Sequence, residues 1–145
     1  MAKAEVSVTI DRPLEDVFAV LTDVEKTATW SAPTVEEHWT TPGPVGVGSR
    51  RHAVTRYLGR RAENDAEVSE FEPNRKWTMC SLSGPPWEVS AIFEPVEGGT
   101  RVDWIWSFRF SGVLRLFEPL MVGMLSRMST KDLARLKDMM ESGAL

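Results

Sequence analysis

The sequence predicts an α+β fold in which an antiparallel sheet of about seven strands is covered by one long C-terminal helix. Three observations lead there. From Val35 to Phe110, short segments alternate apolar and polar residues and are separated by tight turns, the pattern of a meander. From Ser111 to Gly143, Leu114, Phe117, Met121, Met124, Leu125, Met128, Leu133, Leu136 and Met140 recur with a period near 3.6, which predicts one broad apolar helix face. Strands and helices are segregated along the chain, so the long helix has only the strands to bury against.

Taken in order, Lys3–Ile10 alternates Ala4, Val6, Val8 and Ile10 against Glu5, Ser7 and Thr9, a half-buried strand. Asp11 is placed to cap the next helix, and Pro13 fits its first turn. Leu14, Val17, Phe18 and Leu21 form a short amphipathic helix, Thr22-Asp23 breaks it, and Val24–Trp30 forms a second, ended by Ser31-Ala32-Pro33. Val35–Thr41 is a weaker strand with Val35, Glu37 and Trp39 on one face. A Gly/Pro-rich loop, Thr41–Gly48, leads to strands at Arg50–Leu58, Arg61–Phe71, Lys76–Leu82, Trp87–Phe93 and Thr100–Phe110. Glu97-Gly98-Gly99 marks the last hairpin. Pro119 is excluded from a helix interior, which places the start of the main helix at Glu118 or Pro119; Gly143 supplies its stop after about Glu141.

The totals bound the function. At 145 residues the chain reads as one domain, 1–145, large enough for a real core. A net charge of −4 argues against a general nucleic-acid binder. The first residues lack an apolar signal core, and no apolar run reaches membrane-spanning length, so no stable membrane insertion is expected. The single cysteine, Cys80, fits a reducing cytoplasm and is expected to be an inert buried thiol. Without CxxC, HxxxH or a paired His/Cys set, a protein-encoded zinc site is not expected; no metal ligand and no cofactor is assigned. Six tryptophans against one tyrosine imply an aromatic-rich core or an aromatic-lined pocket.

Three stretches carry a family resemblance. They are Val6–Phe18 continuing through Leu21–Lys26 to Trp30; Gly46–Arg50 with Leu58–Arg61 and Phe71-Glu72-Pro73; and Phe93–Val102 followed by the long helix with Leu133–Lys137. In these the chain resembles the START-like (SRPBCC) helix-grip superfamily, in particular the bacterial polyketide cyclase/dehydrase and lipid-transport proteins. The resemblance spans nearly the whole chain. It implies a curved antiparallel sheet gripping the C-terminal helix, with a ligand cavity between them. These motifs are turns and core positions, so they speak to fold; members include lipid carriers, hormone receptors, aromatase/cyclases and chaperone-associated modules.

Within that frame, Trp77, Trp87, Trp104, Trp106 and Phe108, facing the helix with Met121, Met124 and Met128, are the candidate lining of an apolar pocket, with Met79 beside Trp77. Burying roughly 300 Å² of apolar ligand is worth about 7 kcal/mol before association costs. The polar candidates lie in Arg50–Arg61. If Ala53, Thr55 and Tyr57 face inward, Arg51 does too; if Val54 and Leu58 do, His52 and Arg56 do. The first parity suits a pocket better, since tyrosine presents an apolar body and a polar tip. It makes Arg51 with Tyr57 an anion anchor for a carboxylate or phosphate head group. Asn64 lies on the small apolar face of its strand and is a candidate inward hydrogen-bonding group. Gly43–Gly46, Leu58-Gly59 and Ser83–Pro86 are candidate turns around a cavity mouth.

No nucleophile motif accompanies His38 or His52, and no catalytic residue is assigned. The leading expectation is a binding or transport module for a hydrophobic small molecule such as a lipid, acyl chain or polycyclic aromatic, acting as a monomer or homodimer. A polyketide aromatase/cyclase or dehydrase working in the same cavity is the alternative, and a protein-interaction module the third.

Overall fold

The computed structural model describes residues 2–145. In chain order it contains β1 (Ala2–Ile10), α1 (Leu14–Thr22), a 3₁₀ turn (Val24–Lys26), α2 (Thr27–Trp30) and β2 (Thr34–Trp39). Then come β3 (Arg50–Tyr57), β4 (Arg60–Glu72), β5 (Lys76–Ser81), β6 (Trp87–Val96), β7 (Gly99–Phe108), a second 3₁₀ turn (Gly112–Phe117) and α3 (Glu118–Glu141). The strands form one antiparallel sheet in the order β1-β7-β6-β5-β4-β3-β2, curved around α3 as the grip arrangement requires.

Inward and outward residues follow the pleat. On β7, Thr100, Val102, Trp104 and Phe108 are buried, while Arg101 is exposed. Register places Val102 between Val8 and Phe93, and Trp104 between Val6 and Ala91. With Val17, Phe18 and Leu21 of α1 and Leu133, Leu136 and Met140 of α3, these residues make the core.

The β1–α1 corner and the end of α3 are latched together. Arg12 Nη1 donates to the Met140 carbonyl at 2.7 Å, the Asp11 amide donates to Glu141 at 2.9 Å, and Lys137 Nζ donates to the Thr9 carbonyl at 2.7 Å. Gly143, at φ 84°, ends α3 in a Schellman motif: its N–H donates to the Met140 carbonyl and that of Ala144 to the Met139 carbonyl. Gly99 is required by close approach. It adopts φ 151°, and a Cβ there would overlap the Ile10 carbonyl oxygen.

Several expectations change. Asp11 does not cap α1, whose N-cap position is Pro13, with no side-chain cap. Val24–Trp30 is split into a 3₁₀ turn, capped by Asp23 accepting from the Glu25 amide, and a single turn of α-helix. A bulge between Thr34 and Glu36 leaves Val35 exposed. Cys80 lies opposite Trp77 and Met79 but is half-buried rather than buried. The apolar face of the last segment is not continuous: Leu114 and Phe117 are exposed, and burial on α3 begins only at Ser129. Among the described residues, no helix is long and apolar enough to cross a membrane.

Candidate functional site

Between the sheet and the first half of α3 lies a cavity of about 620 Å³. Its walls follow from pleat and helix period. Inward positions on β3 (Arg51, Ala53, Thr55, Tyr57), β5 (Trp77, Met79), β6 (Trp87, Val89) and β7 (Trp104, Trp106, Phe108) all open onto it. Met121, Leu125 and Met128 close it from α3, and Trp30, Ser31 and Thr27 from α2 and its end. No residue of α3 before Ser129 is buried, so the first half of the helix leaves space over the inward strand residues.

Five tryptophans form a connected set. Trp104 meets Trp30 edge-on at 6.1 Å between ring centroids, Trp77 at 6.2 Å and Trp106 at 6.4 Å, and Trp106 meets Trp87 at 5.5 Å. Such contacts hold the rings in fixed orientations. The indole N–H groups of Trp30 and Trp77 are buried without a protein acceptor.

The polar wall centres on Arg51. Its guanidinium lies over the Trp87 ring at 5.5 Å, and Nη1 donates to Asn64 Oδ1 at 2.5 Å and to the Asn64 carbonyl at 3.2 Å. Arg51 Nε stands 3.3 Å from Glu37 Oε2, off the N–H direction, so the attraction is ionic rather than a formed hydrogen bond. Both side chains are nearly withdrawn from solvent. Burial pushes the Glu37 carboxyl up against the pull of Arg51 and a bond from Thr27, and it pushes Arg51 down. The expected free anion anchor is therefore altered: Arg51 faces the cavity, but Glu37 already meets its charge.

A second polar group sits opposite, on α3. Asp132 accepts from Ser31 Oγ at 3.0 Å and from the Ala32 amide at 3.1 Å. Burial raises its pKa, with the two hydrogen bonds opposing the rise. Tyr57 is raised by burial and by the charge of Asp132. A carboxyl raised in the folded state binds its proton more tightly there than in the unfolded chain. Its stabilising contribution is thus present below the ordinary value of about 3.9 and lost as pH rises through the folded value. Asp132→Asn keeps an acceptor for Ala32 without the charge. Urea denaturation should find it at least as stable as the parent at neutral pH, with its advantage growing as pH rises above about 4. A variant less stable at neutral pH than at pH 4, relative to the parent, contradicts this.

Of the sequence candidates, Arg51, Tyr57, Asn64, Trp77, Met79, Trp87, Trp104, Trp106, Phe108, Met121 and Met128 all line the cavity. Met124 does not. It lies about 60° round the helix from Met121, off the inward stripe, and faces an outer groove with Leu120 and Arg127. The β3 parity is the one with Arg51 inward; His52 points away and bonds to Asp65 at 2.9 Å and Glu63 at 3.1 Å. Of the three candidate mouth turns, Ser83–Pro86 borders the cavity, and its exposed residues mark where it reaches the surface. Sequence reasoning misses Glu37, Trp30 and Asp132 as site residues. Glu37 shares its strand face with Trp39, and Asp132 is four residues from both Met128 and Leu136, so these two carry a periodicity signal.

The model of the family described as polyketide cyclase/dehydrase and lipid transport matches residues 1–141. The chain belongs to this family. No curated protein sequence matches it. Among solved structures, TTHA0849 from Thermus thermophilus is similar with a TM-score of 0.82 and 17% identity, over 99% of each chain. The di-domain ARO/CYC proteins StfQ, of the steffimycin biosynthetic pathway, and BexL, of the BE-7585A pathway, give TM-scores of 0.80 and 0.79 at 14% and 21% identity. This polyketide cyclase/dehydrase and lipid-transport family member covers 51% and 47% of those two longer chains. At such identities the likeness establishes the helix-grip fold alone.

Proposed function

We propose that this family member binds or transports a hydrophobic small molecule, a lipid, acyl chain or polycyclic aromatic, held in the cavity by Trp77, Trp87, Trp104, Trp106, Phe108 and Met79. The observation that carries the reading is a cavity of about 620 Å³ walled mainly by apolar side chains, with eight aromatic rings and three methionines among them. That is the size and character of a small-molecule site, apolar with a few placed polar groups. Met121 and Met128 supply an adaptable wall on the α3 side. Arg51, Asn64 and Tyr57 orient one polar end of the ligand.

Because Glu37 neutralises Arg51, that end is best filled by a neutral oxygen group. Calorimetric titration with a fatty acid and its methyl ester should find the ester bound at least as tightly. Trp106→Ala should weaken both by about tenfold, consistent with the loss of a large apolar contact. A strong preference for the acid would return Arg51 to the role of free anion anchor. Absence of binding by either compound, or by a polycyclic aromatic, would remove the carrier reading.

A second reading, a polyketide aromatase/cyclase or dehydrase, is favoured by Glu37, Tyr57 and Asp132 opening onto one cavity with raised pKa values. Carboxyls whose burial strengthens their hold on a proton suit general acid–base work. The di-domain neighbours named ARO/CYC add weight to it. Recovery of a cyclised or dehydrated product from a poly-β-keto substrate supports this reading; recovery of the compound unchanged supports the carrier.

A further inference from the structure

We propose that the second 3₁₀ turn and the outer face of α3 form a docking surface for an anionic lipid membrane, beside the cavity mouth. Of the nine large apolar residues exposed in the described chain, five fall in one stretch: Val113, Leu114, Leu116, Phe117 and Leu120. Leu116 is 81% exposed and Leu120 73%. No residue from Arg109 to Met128 is buried, so this stretch is not stabilised by a core of its own. A contiguous apolar patch of this kind marks an interaction surface.

Charge selects the partner. Arg109, Arg115, Arg127 and Lys131 are exposed around the patch. The one carboxylate between Arg109 and Lys131 is Glu118, which is half-buried and accepts from the Phe110 amide at 2.8 Å. The next, Asp132, is turned inward onto Ser31 and Ala32. The stretch thus carries a net +3, four basic side chains against one acidic, within a chain of net −4. A groove of about 430 Å³ joins the two chemistries: Pro119, Leu120 and Met124 give it an apolar floor, and Arg127 and Lys131 flank it. An acyl chain beside a phosphate has that combination. A second copy of the chain does not, because an isologous contact would set the arginines against their own copies.

The surface also lies where transfer would need it. Phe110, Met121, Leu125 and Met128 of the same segment line the cavity, and the exposed Ser83–Pro86 turn borders it from the other side. The proposal goes beyond the cavity reading and does not depend on what the cavity holds.

Co-sedimentation with vesicles tests it. The protein should pellet with vesicles of phosphatidylcholine mixed with phosphatidylglycerol, remain in solution with phosphatidylcholine alone, and be released by raised salt. Each basic side chain near such a surface is worth roughly fivefold in partition, so Arg127→Glu/Lys131→Glu should lower binding by more than about tenfold. Leu116→Glu/Leu120→Glu should do the same by removing the inserted side chains. All four positions lie outside the cavity wall, so both double variants should bind the methyl ester as the parent does. Failure of the parent to pellet with anionic vesicles overturns the proposal, as does binding insensitive to both double variants. A concentration-dependent dimer abolished by Leu116→Glu/Leu120→Glu overturns it in favour of a second copy. Vesicle binding without any cavity ligand upholds it while removing the carrier reading.

Discussion

Replacing Gly99 with alanine should cost the fold about 3 kcal/mol or more, a drop in melting temperature of about 6–12 °C for a chain of this size. Two effects add. Its φ of 151° is outside the range that L side chains ordinarily adopt, and the new Cβ would overlap the Ile10 carbonyl oxygen. That oxygen belongs to backbone at the end of β1, so it cannot swing aside like the tip of a side chain. The neighbourhood is further pinned by Thr100 Oγ1 donating to the Arg12 carbonyl at 2.9 Å. Gly98 is the control: its φ is 85°, but nothing lies within 4 Å of its would-be Cβ. Gly98→Ala should cost only about 1–2 kcal/mol. Equal losses at the two positions, measured by thermal melts, would mean that the turn conformation matters and the approach of β1 does not.

Trp104→Ala should destabilise the chain by about 3–5 kcal/mol. Trp104 is the ring through which Trp30, Trp77 and Trp106 are connected, and it is 9% exposed. Its removal takes away contacts on three sides and joins the void to the existing cavity, where water can enter, which favours the lower end of the range. Trp106 is only half-buried and meets Trp87 and Trp104, so Trp106→Ala should cost less, about 1–2 kcal/mol. Urea denaturation of the two variants separates a ring that holds the fold from one that is available to a ligand. Similar losses would mean that both are core.

Much of the fold is legible in the sequence because two periods, that of a strand and that of a helix, run through long stretches of it. The alternation from Thr100 to Phe108 places Trp104 and Trp106 on the inner face, and Pro119 and Gly143 bracket α3 within a residue or two. Legibility fails where spacing and burial part company. Leu114, Phe117 and Met124 fit a helical repeat, but a repeat states which residues share a face and not whether anything covers it. The company of Tyr57 turns Arg51 inward on paper as in the fold, yet its partner Glu37 lies on the neighbouring strand β2, and the register across the loop between them, residues 40–49, is not contained in either strand. Asp132 escapes notice because a charged residue on a helix is ordinarily solvated. Here Ser31 and the Ala32 amide, about a hundred residues away, satisfy its oxygens.

Filling the cavity is the most direct test of whether it is a binding space. Ala53 is 1% exposed and opens onto the cavity between Arg51 and Thr55, so a phenylalanine there occupies ligand volume without touching the tryptophans' own strands. Calorimetry with a series of neutral apolar ligands should give one site per parent chain, with affinity rising as apolar area grows. A folded Ala53→Phe variant should lose that binding by at least about tenfold. Binding to the filled variant as tight as to the parent, or no binding to the parent by any member of the series, would contradict the account.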